Sequence, residues 1–378
     1  MDRVLKPYIQ KDLDEKIVLL TGPRQVGKTT LAKQLFRQFS YYSFDDPEHR
    51  IALQKRTWPR QTDLVIFDEL HKMKNWKSWI KGIYDTEGVR PRILVTGSAR
   101  LDIARKMGDS LAGRHFLFRL HPLSMKELQQ AGELTPNSFK NLLNLGGFPE
   151  PFLKGDPIFY QRWRRSHLDI ILRQDLLDLE NVRQISAIET LIELLRNRVG
   201  SGISYESLAR DLDRDATTVK RWLQILENLF IIFKVTPWSK KIARSILKEP
   251  KYYFYDNGQV VGDEGTKLEN LVANALLKEL HFLEDTLGAR TSLQYLKNKE
   301  GKEIDFIVTV GGETQHLIEV KWANDEPSSN FELFSKYLGN QNLKQLQLVG
   351  ELKREKETPT GVRVVSAMKW LTEIKLGH

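Results

Sequence analysis

With 378 residues, 40% of them hydrophobic and 28% charged, the chain has the composition of a folded protein of two or three domains. The absence of cysteine excludes disulfides, thiolate zinc sites and cysteine nucleophiles, and it fits a reducing compartment. No apolar run reaches membrane-spanning length and Met1-Asp2-Arg3-Val4 does not begin a signal peptide, so the expected location is cytoplasmic, with no membrane partner.

Lys16 to Thr21 is an apolar run of strand length, and the stretch from Thr30 to Phe36 carries apolar residues at helical spacing. Between them lies Gly22-Pro23-Arg24-Gln25-Val26-Gly27-Lys28-Thr29-Thr30, which fits G-x-x-x-x-G-K-[ST] in full. A glycine loop between a strand and a helix holds polyphosphate, because loop amides and the helix N-terminus present positive dipoles to an anion. The expected ligand is ATP with Mg²⁺. Lys28 would reach the β- and γ-phosphates, and the Thr29 hydroxyl would hold the metal.

A second apolar run, Leu64 to Phe67, ends in Asp68-Glu69. An acid at the tip of a strand beside the loop can hold Mg²⁺, and the next glutamate can take a proton from the attacking water. A third strand, Arg92 to Ser98, ends in hydroxyl residues, with Thr96 and Ser98 on one side by the period of two. One of them, with Ser98 preferred, would sense the γ-phosphate or orient the water.

The segments GPRQVGKTT, LVIFDEL, VTGSA and SLAGR-HFLFRLHPLS resemble the prokaryotic AAA-type ATPases related to the archaeal ATPase group. That resemblance implies that the hydroxyl-bearing strand lies between the loop strand and the acid strand. It also makes Arg114 the candidate finger or sensor arginine, in cis or in trans; the trans role would require a homo-oligomer. Gly146 to Glu150 and Arg162 to Leu176 resemble the start of the accessory region that follows such ATPases. The expected first domain is residues 1–150.

Positive charge is concentrated there. Basic against acidic residues number 25 to 17 in residues 1–150, 18 to 15 in 151–263 and 15 to 17 in 264–378. Lys72, Lys74, Lys77 and Lys81 surround Trp76 and Trp79, and such a helix either tracks nucleic acid or packs its tryptophans inward. Residues 151–263 read as a helical domain with a winged-helix layout. Ser204 and Asp215 are placed to cap its two helices, with Thr217, Thr218, Lys220 and Arg221 toward any DNA groove. Ile231 to Val235 and Tyr252 to Tyr255 read as the wing strands. Such a domain either reads DNA or only joins domains and binds protein.

Residues 264–378 read as a third, α/β domain. Thr266 to Leu280 is an amphipathic helix carrying Glu269, Glu303 to Val308 is a strand with Asp305, and His316 to Lys321 is a strand with Glu319 and Lys321 on one face. An acid on a helix, an aspartate on one strand and E-x-K on the next is the pattern of the PD-(D/E)XK nuclease superfamily, and it is most similar to the archaeal Holliday-junction-resolvase branch. The resemblance implies a restriction-endonuclease-like fold. Asp305 and Glu319 would bind Mg²⁺, Lys321 would orient or deprotonate water, and Glu269 would be a further metal ligand or support one. His71, His115, His121 and His316 lack a second ligand at metal spacing. The expected whole is an ATP-hydrolysing protein acting on or with DNA, with cleavage by the third domain; the rival is an ATP-dependent switch or scaffold whose nuclease-like domain does not cut.

Overall fold

The apolar run before the glycine loop becomes the inner strand of a parallel sheet. The structure, a computed structural model, describes residues 1–97, 111–175, 185–239, 249–339 and 343–377. The chain divides into two compact units, one of residues 1–121 with 228–230 and one of residues 122–227 with 231–378.

In the first unit the strands are β1 (Ile17–Thr21), β2 (Phe39–Ser43), β3 (Leu64–Asp68), β4 (Arg92–Thr96) and β5 (His115–Arg119). They lie in the order β2-β3-β4-β1-β5, and every neighbouring pair is parallel. All five positions of β1 and of β3 are buried. A parallel sheet covered on both faces demands such continuous apolar runs rather than alternation. β4 lies between β1 and β3, as the ATPase resemblance implies. The helix after the loop spans Lys28–Lys33, starting two residues before the expected position because Gly27, at φ 99°, already serves as its N-cap.

Helix Trp76–Glu87 resolves the ambiguity of the basic stretch. Trp76 is buried, and Trp79 packs edge-on against Phe67 and Trp58 with ring centroids 5.4 and 5.8 Å apart. Both tryptophans therefore belong to the core. Lys72 pairs with Asp45 at 2.6 Å and Lys81 with Asp85 at 3.8 Å.

The second unit begins with helices and ends in a mixed sheet. Ser204 caps Tyr205–Asp211 through the Ser207 amide, and Asp215 accepts from the Thr218 amide at 2.8 Å at the start of Ala216–Asn228. The antiparallel pair β6 (Ile232–Pro237) and β7 (Lys251–Phe254) follows. Helix Glu264–Leu287 then leads into β8 (Thr291–Lys297), β9 (Glu303–Val310) and β10 (Glu313–Lys321), an antiparallel meander. Helix Asn330–Leu338 crosses to β11 (Lys344–Val349), which runs parallel to β10; β12 (Lys356–Glu357) and β13 (Val362–Ser366) complete that side.

The eight strands lie in the order β12-β13-β11-β10-β9-β8-β6-β7. β6 runs parallel to β8 through Thr236 opposite Gln294 and Pro237 opposite Tyr295. The pair read as a wing is thus the edge of the C-terminal sheet, and the expected break between 263 and 264 falls inside one compact unit. Helix Glu264–Leu287 starts two residues earlier than expected, where Asp263 caps the Thr266 amide, and continues to the left-handed Gly288.

An edge strand leaves backbone groups unpaired unless something covers them. Asn270, fully buried on that long helix, does so for β7. It accepts from the Phe254 amide at 2.9 Å and donates to the Phe254 carbonyl at 3.0 Å and to Asn257 at 2.8 Å. Asn270→Ala would strand the Phe254 amide in the interior, so unfolding in urea should show a loss of about 3 kcal/mol. A loss below about 0.5 kcal/mol would contradict this role.

Candidate functional site

The loop at residues 22–27 turns where only glycine fits. Gly22 has φ 147°, and a Cβ built on it would lie 2.3 Å from the Leu120 carbonyl oxygen at the exit of β5. Gln25 at φ 61° and Gly27 at φ 99° are also left-handed, the alternation that shapes a backbone concavity for anions. Lys28 is buried, and its ammonium donates to the carbonyls of Gly22 at 2.9 Å and Pro23 at 2.7 Å. Arg3, not singled out by the sequence, donates to the Val26 carbonyl at 2.9 Å and to the His121 carbonyl, tying the loop to the chain after β5.

Asp68 is the meeting point of the sheet's C-terminal edge. Thr29 donates to its Oδ2 at 3.0 Å, Tyr41 to the same oxygen at 2.6 Å, and Thr96 to its Oδ1. Thr29 and Asp68, expected to share Mg²⁺, are therefore adjacent, and a hydroxyl beside a carboxylate is the hard-oxygen set this ion takes in a nucleotide site. The residues fit the group. Burial, and then the hydrogen bond to Asp68, raises the Tyr41 phenol above its ordinary range, keeping it a proton donor. Tyr41 was missed because β2 is polar and half-exposed, with no motif around it.

Glu69 has a left-handed φ of 53°, uncommon for a residue with a side chain and frequent at functional sites. Its amide donates to the Thr96 carbonyl at 3.0 Å and its carboxylate lies 3.5 Å from His71 Nε2. Thr96, the less favoured of the two hydroxyls, touches Asp68. Ser98 lies outside the described residues.

Arg114, expected as a finger or sensor in cis or in trans, lies at the far end of its strand from the loop. His115 pairs with Ile17 at the start of β1, whereas the loop leaves β1 after Thr21. Arg114 lies one residue before that pair, so five strand steps, roughly 17 Å, separate it from the phosphate end of its own sheet. Its guanidinium is instead engaged with Asp85, Nε to Oδ1 at 2.7 Å. A finger role in cis does not fit that position.

In the second unit, β9 and β10 bring Asp305, Glu319 and Lys321 together. Lys321 pairs with Glu319 Oε1 at 2.8 Å, so the two share a face as expected, and the Val320 amide donates to Asp305 at 2.8 Å. Oε2 of Glu319 is buried without a hydrogen-bond partner. Burial, and then the charge of Asp305, pushes both the Glu269 and Glu319 carboxyls up to about 7. Asp305 is also raised, by burial first.

Glu269 faces other partners. It accepts from the Tyr253 hydroxyl at 2.7 Å and pairs with the Lys251 ammonium at 3.5 Å. Lys251 also pairs with Glu303, whose other oxygen lies 3.2 Å from Lys297. Burial alone would lower the Lys251 ammonium, but Glu269, Asp305 and Glu303 outweigh it and hold it above its ordinary range. Among the described residues no three His, Cys, Asp or Glu side chains converge as a metal-holding group. Glu269, expected as a further metal ligand or the support of one beside Asp305 and Glu319, is engaged by the Lys251 ammonium. Burial lowers the His316 imidazole to about 4, which keeps it neutral.

Residues 14–129 match the model of an AAA domain. Residues 136–262 and 264–370 match two domains of unknown function, DUF8612 and DUF4143. An uncharacterized protein of Haemophilus influenzae is 21% identical over 413 aligned positions, covering 98% of each chain. One of Mycobacterium tuberculosis is 27% identical over 306, covering 78% of this chain and 68% of its own. One of Methanocaldococcus jannaschii is 24% identical over 359, covering 85% and 78%. Among solved structures, a Thermotoga maritima RuvB variant aligns over 61% of this chain and 87% of its own at 15% identity with a TM-score of 0.32. The AAA match and the loop geometry together support a P-loop AAA-type ATPase domain at the N-terminal end. No helix among the described residues is long and apolar enough to cross a membrane.

Two outcomes follow from these contacts. Tyr41→Phe removes one donor from Asp68 and should weaken Mg²⁺-dependent ATP binding about fivefold, roughly 1 kcal/mol, in a fluorescence titration; unchanged affinity would contradict the positioning role. For Glu319 the folded carboxyl titrates near 7 against an ordinary 4.5. Between those values the native state holds a proton that the unfolded chain has released, so this group's contribution falls as pH rises through that window. Urea midpoints measured across it should decline less in Glu319→Gln than in the parent; an equal decline would contradict the assignment.

Proposed function

We propose that the chain binds ATP with Mg²⁺ at residues 22–30, hydrolyses it, and uses the cycle to control a downstream unit that works with DNA. The observation that carries the first half is the convergence of Thr29, Tyr41 and Thr96 on Asp68 beside the loop, with Lys28 inside it. In this reading the loop binds the triphosphate, and Lys28 leaves the Gly22 and Pro23 carbonyls for the β- and γ-phosphates. Thr29 and Asp68 would hold the metal. Bound Mg²⁺ would offset the charge that develops on the transferred phosphoryl group. Glu69, released from His71, takes the proton of the attacking water, and Thr96 or Ser98 orients that water. Arg114, freed from Asp85, could act only on a neighbouring copy, which would make the working form a homo-oligomer.

The DNA half rests on the nuclease-type order of helix, three-strand meander, crossover helix and parallel strand, with Asp305, Glu319 and Lys321 on adjacent strands. It also rests on the helices at 185–196, 205–211 and 216–228, which support the helical part of a winged-helix reading. Thr217, Lys220 and Arg221 stand exposed on the last helix, while Thr218 is engaged by Asp215 at 2.6 Å. Of the two uses of such a unit, cutting DNA or holding DNA or protein without cutting, the Lys251 pairing with Glu269 favours holding.

Lys28→Ala should abolish phosphate release, and Glu69→Gln should retain ATP binding while losing at least about 100-fold in turnover. Undiminished turnover in either would contradict the site. Turnover with single-stranded, duplex and branched DNA tests the partner: stimulation by one supports it, and indifference to all three contradicts it.

A further inference from the structure

Lys251 opens β7, outside every motif, and its side chain is only 2% exposed. Burying an ammonium is costly unless close anions compensate it. Here the anions are Glu269 at 3.5 Å and Glu303 in direct contact, with the Tyr295 ring 5.2 Å from Nζ on another side. Tyr253, two residues along the same strand, donates to Glu269 and fixes that carboxylate. β7 reaches this position because β6 continues the C-terminal sheet beside β8, and the Gly202–Lys251 bridge holds its start.

We propose that Lys251 is the resident cation of the nuclease-type frame, taking the place of a divalent metal ion and committing this sheet to a role other than metal-dependent strand cleavage. The inference rests on the holding reading of the second unit and is independent of the ATP site. A divalent ion needs several oxygen ligands at close range, and one drawn in by Glu269 and Asp305 would stand beside a fixed positive charge. Lys321 pairs with Glu319 at 2.8 Å in the same way. Two lysines thus offset part of the negative charge that would attract a metal.

The test is Mn²⁺ binding to the full-length, nucleotide-free protein, read by the loss of the free-ion EPR signal. Wild type should show no site that Asp305→Asn removes. Lys251→Met keeps most of the apolar stem and deletes the ammonium and its charge; it should acquire one site, about tenfold or more tighter than any in wild type, and lose it on adding Asp305→Asn. A wild-type site that Asp305→Asn abolishes would overturn the proposal, as would a folded Lys251→Met that gains none. Should Lys251→Met fail to fold, the wild-type titration decides alone, and so does plasmid nicking in Mn²⁺: cleavage by wild type that Lys321→Ala removes would overturn the proposal. DNA stimulation of ATP turnover in the same preparation reports separately on the wider functional reading.

Discussion

One carboxylate, with three hydroxyls aimed at it, fixes the geometry on which the rest of the first unit depends. Thr29 follows the loop, Tyr41 comes from β2, and Thr96 ends β4. The three can meet Asp68 only if β1 to β4 finish at the same level, which parallel pairing in the observed register provides. A buried carboxylate with several donors stays poised for a cation, and hydroxyl partners do not neutralise it as an arginine would. The loop supplies the opposite pole: Gly22 lets the chain pass against the Leu120 carbonyl, and Arg3 holds Val26 from behind. The loop and the Asp68 carboxylate thus meet at one helix start, where Thr29 bonds Asp68.

The second unit shows the same kind of charge handled in the opposite way. Its acids, the partly buried Glu269 and Asp305 and the buried Glu319, are drawn from a helix and two strands, and lysines from β7 and β10 meet two of them. Buried carboxylates with fixed ammonium partners are structural until a partner leaves. A pattern of acids compatible with metal chemistry therefore does not by itself establish it. What decides the matter is whether the charge has already been answered from within.

Much of this was legible in the sequence where it depended on local pattern. Continuous apolar runs marked β1 and β3, Ser204 and Asp215 marked helix starts, and the period of two put Glu319 and Lys321 on one face. The rest depended on pairings between distant segments. Nothing near Lys251 announces that β6 will join β8, so its place among Glu269 and Glu303 could not be read. Tyr41 sits in a polar strand without a motif. Arg114 was assigned by resemblance to a segment, but the register of β5 against β1 sets its distance from the loop.

The most direct measurement of the central claim is the Mg²⁺ dependence of ATP affinity, by calorimetry, in wild type and Asp68→Asn. If Asp68 is the metal end of a nucleotide site, Mg²⁺ should strengthen ATP binding in wild type, and that gain should vanish in the variant while metal-free binding persists. The same Mg²⁺ gain in both proteins would contradict the account.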